Sequence, residues 1–205
     1  MGRGLNVVGR AALLLILALC SCTPQNDAFD NSFLRAYATP NPIPSNFFVC
    51  YGYGCKYRTR ITLTDTEWLE ARAKFSPPAA DAAAERIQVA EAVGLLERFV
   101  AKRTGTLVHQ EHSRWNYGDP TQLDCVDNSV NTWTYMTMLA RDHLLHFHTV
   151  DGLSHRGTLV TLDFSNTAVL KENSNGARFA VDPWLTDGGV PPPVMPLDDW
   201  ARTEF

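Results

Sequence analysis

The chain has 205 residues, 18 of them basic and 22 acidic, giving a formal charge of −4 at pH 7. At 45% hydrophobic residues it can bury a core of its own, and its length fits one domain. The acidic balance speaks against nucleic acid as a partner and against docking on anionic lipid through a basic patch.

The chain opens MGRGLNVVGRAALLLILALCSC. Arg3 and Arg10 precede an aliphatic run from Ala11 to Leu19. That run is too short to span a bilayer, which takes ~20 apolar residues, and has the length of a signal-peptide core. The end of the run, Leu19-Cys20-Ser21-Cys22, resembles the lipobox of bacterial lipoproteins. Cys22 fits that pattern better than Cys20, which would put bulky Leu19 at the cleavage point. The resemblance implies a signal peptide over 1–21, lipidation of Cys22, and attachment to the bacterial cell envelope through acyl chains. An ordinary secretory signal cleaved nearby is the alternative. Thr23, rather than Asp, follows the lipid site; by the family's sorting rule this points to the outer membrane, facing the periplasm. Cleavage would remove two arginines and leave a charge of −6.

Compartment then sorts the five cysteines. Cys20 leaves with the signal and Cys22 carries lipid. Cys50 and Cys55, in VCYGYGCKY, enclose two glycines and read as a small-loop disulfide outside the cytosol; a metal clip lacks nearby partners in sequence. Cys125 is the odd thiol, either buried and inert or reactive.

Residues 22–46 mix Pro, Asn and Ser without periodicity and read as a tether. A single domain is expected over 47–205. KYRTRITLT (56–64) alternates as a strand does. Thr64 to Glu67 has capping-box spacing, so a short helix is expected from Trp68 to Phe75, stopped by Pro77 and Pro78. The longest helical signal covers 79–105 and ends at Gly105. After a loop turned at Gly118-Asp119-Pro120, a second long helix runs from about Gln122 to Arg141, with Val126, Val130 and Trp133 on one face. LLHFHTV (144–150) and RGTLVTL (156–162) read as strands. Residues 167–184 read as a β-hairpin turning near Asn173 to Gly176, and the Pro-rich tail carries a short helical turn at Leu197 to Ala201. This order makes the fold α+β: helices, one of them led by a cysteine, packed on a small antiparallel sheet.

Cys125 stands where the second long helix begins. Unsatisfied N–H groups at a helix head favour thiolate, while Asp124 and Asp127 oppose it, and the balance depends on where the carboxylates point. The stretches LDCVDNSVNTWTYMTMLARD and RFAVDPW together resemble the transglutaminase-like cysteine hydrolases of the papain-like class. That resemblance covers about 120–185. It implies a cysteine hydrolase or transferase acting on amide or peptide bonds, with Cys125 as nucleophile and Asp182 as the acid that orients a histidine. No cofactor is implied.

The histidine is the difficulty. A hairpin turning near Ser174 puts Asp182 opposite about residue 167, and Asn166 occupies the place where the family holds its base. Asn cannot take a proton at neutral pH. His155 keeps the Cys–His–Asp order and is the displaced choice, yet an extended 156–170 would carry it tens of ångströms from Asp182 at ~3.3 Å per residue, unless the chain bends at Asp163 to Asn166. His148 could approach from the preceding strand. Either a displaced histidine completes the site, or the triad has decayed and the fold serves as a binding module for a peptide or protein partner. His109, His112, His143, His146 and His148 have spacings that zinc can use, with His146 and His148 on one strand face, but no acidic or cysteine companion matches them. Trp115, Trp133 and Trp184 either line a groove near the cysteine or fill the core.

Overall fold

A computed structural model describes residues 31–113, 118–157 and 164–203. Cys22 and most of the 156–162 strand expectation lie outside these. The chain is α+β, as its pattern predicts. In order it forms α1 (Ser32–Tyr37), β1 (Phe47–Tyr51), β2 (Tyr57–Ile61), α2 (Asp65–Ala73), α3 (Ala82–Thr104) and α4 (Cys125–Arg141). Then come β3 (His148–Arg156), β4 (Ser165–Glu172), β5 (Arg178–Val181), β6 (Val194–Pro196) and α5 (Leu197–Arg202). The strands make two antiparallel sheets, a hairpin β1-β2 and a four-stranded sheet in the order β3-β4-β5-β6. No helix among the described residues is long and apolar enough to cross a membrane.

Local chemistry sets the helix boundaries. Thr64 caps α2 with a full capping box: its hydroxyl accepts from Glu67 N–H, and the Glu67 carboxylate accepts from Thr64 N–H. Asp81 caps α3, accepting from Ala84 N–H at 2.8 Å. Gly105 ends it at φ 81°, a left-handed position where a Cβ would be strained.

α4 is the central element. Val130, Met136, Met138 and Leu139 are buried among α3, β1 and the larger sheet, and Tyr135 meets Phe47 edge-on at 6.2 Å between ring centroids. Trp133 packs on this core at half burial, and Trp184 is buried outside that cluster, against His112. Trp115 lies outside the described residues.

Several expectations are corrected. Residues 31–46, read within a tether, carry α1, whose Phe33 and Leu34 pack against the core. β1 and β6 were not expected, and 144–147 is not strand: β3 begins at His148. His146 and His148 therefore do not share a strand face as ligands. His143 and His146 are exposed while His148 is buried and engaged with Glu85.

α3 buries two acids with opposite consequences. Glu85 is matched by donors. Glu97 is buried with one backbone partner, Gly189 N–H at 2.9 Å, and burial pushes its carboxyl up to about 7. Its folded state therefore holds a proton that the unfolded chain releases near the ordinary glutamate value, so stability falls as pH rises from about 4.5 to about 7. Glu97→Gln, which keeps the neutral shape, is expected to match the native chain at pH 4 and to exceed it by up to about 3 kcal/mol at pH 8. Urea denaturation at the two pH values measures this; an unchanged gap between the two proteins would contradict it.

Candidate functional site

Cys125 is the first residue of α4, and Asp124 caps the helix through a second capping box, with Asp124 accepting from Asp127 N–H and Asp127 accepting from Asp124 N–H. The sheet side of the site comes from the β3-β4-β5 ladder. The hairpin turn lies where the sequence predicts, with Gly176 N–H donating to Glu172 C=O, and the register pairs Ala168 with Val181. One step further, Thr167 stands across from Asp182. Asn166 is then the β4 residue that reaches Cys125: its Nδ2 donates to Cys125 Sγ at 3.6 Å.

His155 reaches the same place through the pairing of β3 with β4. β3 ends at Arg156 and β4 returns beside it, which pairs His155 directly with Asn166. Directly paired residues of an antiparallel ladder share one face. His155, Asn166 and Cys125 accordingly line one cavity of about 300 Å³, with Arg156 and Ser165 beside them and Phe33, Val126 and Phe164 as its apolar wall. An extended run from 156 to 170 is thus ruled out, because β3 and β4 are antiparallel neighbours.

Asp182 is buried, and each of its oxygens accepts a hydrogen bond from a tryptophan residue. Its Oδ2 accepts from Trp200 Nε1 at 2.7 Å and its Oδ1 from Trp184 N–H at 3.2 Å. Arg156, stacked 4.6 Å over the Trp200 ring and bonded to Trp200 C=O, supplies the nearby positive charge. Burial outweighs these partners and lifts Asp182 to about 6. The acid thus pins α5 to the sheet, and no imidazole stands on it among the described contacts.

The thiol's balance is also decided. Burial lifts Cys125 to about 12, the Asp124 and Asp182 carboxylates push the same way, and the Asn166 amide offsets them only in part. The helix head alone would lower it by a fraction of this. At neutral pH Cys125 is a thiol.

Asp124 and Asp127 point into a second structure that spacing did not show. Cys50 and Cys55 form the expected disulfide. It closes a loop in which Gly52, Tyr53, Gly54 and Cys55 all have positive φ (81°, 73°, 63° and 57°). Consecutive left-handed residues turn their N–H groups to one side and make an anion cradle. Here the cradle holds the α4 cap: Tyr53 N–H donates to Asp127 at 2.8 Å, Cys55 N–H to Asp127 at 2.7 Å, and Gly54 N–H to Asp124 at 2.9 Å. Asn131, one turn on, both accepts from Cys50 N–H and donates to Cys50 C=O at 2.8 Å. Burial raises both carboxyls; the Asp124 charge raises Asp127 further, while the hydrogen bonds from Asp127 partly offset the rise at Asp124.

His109 and His112, away from the cavity, have structural partners. His109 is buried behind the helix head, accepts from Leu123 N–H at 3.3 Å, and is driven down to about 4 by burial. His112 packs edge-on against Trp184 at 5.0 Å. No family model matches this chain, and no curated protein or solved structure matches it.

Proposed function

We propose that this chain is a lipid-anchored protein of the bacterial envelope whose transglutaminase-like domain keeps the Cys125 cavity for binding a protein or peptide partner, without turnover at the thiol. One observation carries this reading: an amide, Asn166, faces Cys125 where a base is needed, and it cannot accept the thiol proton. Two features agree with it. The thiol is lifted to about 12, and Asp182 spends its oxygens on Trp200 and Trp184. The cavity keeps apolar walls in Phe33, Val126 and Phe164, with Phe164 exposed at its edge. The anchor rests on the resemblance of Leu19 to Cys22 to a lipobox, and the acidic charge leaves attachment to acyl chains.

The test is Cys125→Ala in an amide- and peptide-turnover assay. Equal, background rates in native protein and variant support the binding reading. A Cys125-dependent rate would overturn it and favour the second reading, a cysteine hydrolase or transferase. A specific contact supports that second reading: His155 shares the cavity with Cys125 and is the cross-strand partner of Asn166. In that case His155→Ala should abolish the rate as fully as Cys125→Ala.

A further inference from the structure

We infer that reduction of the Cys50–Cys55 disulfide converts the loop at the head of α4 into a binding site for a zinc-class divalent cation, with Cys50, Cys55 and Asp127 as its protein ligands. The two sulfur atoms and a carboxylate oxygen of Asp127 all lie within 4.8 Å of one another. In sequence the cysteine pair has no partner; the fold brings one from 72 residues beyond Cys55. All three side chains are buried, and Asp127 is already aimed by the N–H groups of Tyr53 and Cys55, the kind of outer contact that orients a metal-binding carboxylate.

The donor set selects the metal. Two thiolates and a carboxylate suit zinc, which takes sulfur and oxygen ligands in tetrahedral sites. Calcium and magnesium require oxygen shells and are excluded by the sulfurs.

The chemistry balances with a dithiol reductant. Its two sulfurs deliver two electrons and two protons to the S–S bond of Cys50–Cys55, which breaks into two thiols, while the reductant closes into its own disulfide. Cation binding then forms two metal–sulfur bonds and releases two thiol protons to solvent. Tyr53 and Cys55 hold left-handed backbone that non-glycine residues adopt at a cost, so opening the disulfide lets the loop relax and the sulfurs separate. In the oxidised chain the sulfurs are bonded to each other and the site is closed.

The experiment is a Co²⁺ titration of the full chain, oxidised and after phosphine reduction, read by thiolate-to-cobalt absorption. The reduced chain should take up one Co²⁺ with the intensity of two thiolates, displaced by Zn²⁺, and the oxidised chain none. Asp127→Asn should weaken binding at least tenfold. Asp127→Cys should raise the absorption by about half, an outcome that a purely structural Asp127 would not give and that is read on the metal itself. Absence of the band in the reduced chain, or the same band in the double variant Cys50→Ser, Cys55→Ser, overturns the site. An unchanged band in Asp127→Cys overturns the assignment of Asp127.

Discussion

Glu85→Ala is expected to lose about 3–5 kcal/mol of stability, among the largest losses any single truncation in this chain should cause. The side chain is fully buried at the start of α3, and its two oxygens serve three donors of the chain entering β3. His146 N–H lies at 2.6 Å, Phe147 N–H at 3.0 Å and His148 Nδ1 at 2.8 Å. The arrangement extends outward, since Arg86 reaches His148 Nε2 at 3.2 Å and Glu172 at 3.1 Å while lying over the Phe179 ring. An arginine can only donate, so Nε2 accepts and the Nδ1 proton faces Glu85. Truncation strands three buried donors at once. The donors hold Glu85 below its ordinary value, despite burial. Its contribution is therefore present above the unfolded value of about 4.5 and fades as pH falls through the lower folded value. Denaturation midpoints of native and Glu85→Ala chains should be far apart at pH 7 and converge under acid. A loss below 1 kcal/mol at pH 7 would contradict this account.

Asn166→His is expected to raise the alkylation rate of Cys125 at pH 7.5 by about 100-fold or more. The amide now stands 3.6 Å from the sulfur, so an imidazole at this position has the thiol within reach, and the cavity of about 300 Å³ has room for the larger ring. An imidazolium in place of the Asn166 amide would put a cation directly against Cys125 and stabilise thiolate against burial and the pressure of Asp124 and Asp182. Alkylation with peptide mapping reads this directly. A rate unchanged from the native chain would mean that the barrier to a reactive thiol lies in burial itself rather than in the residue at 166.

Much of this architecture was legible because it is written locally. The Thr64–Glu67 box, the Gly105 stop and the turn near Gly176 each act within a few residues, and α2, α3 and the β4-β5 hairpin follow from them. The hairpin register even put Asn166 beside the acid's strand, because side-chain period and turn position fix what lies opposite what. Non-local pairing was not legible. β6 exists because the Pro-rich tail returns to β5, and β1 because Asn131 and β2 hold it. The antiparallel pairing that sets His155 beside Asn166 is likewise non-local, and strand periodicity does not say which strand lies next to which. Asp124 and Asp127 were read only as charges opposing a thiolate. Their main engagement, with a left-handed loop closed by a disulfide some seventy residues earlier, depends on backbone N–H directions that no residue pattern records.

The central claim is that Cys125 is held as a neutral thiol in a binding cavity. The pH dependence of iodoacetamide alkylation at Cys125 in the folded native chain tests it most directly, with the labelled peptide identified. With its thiol near 12, Cys125 should react at pH 7.5 about a thousandfold more slowly than an ordinary cysteine of value ~8.5, with no inflection below pH 10. A rate that rises and levels off with a midpoint below 8.5 would contradict the account and make Cys125 an activated nucleophile, with His155 as the first residue to replace.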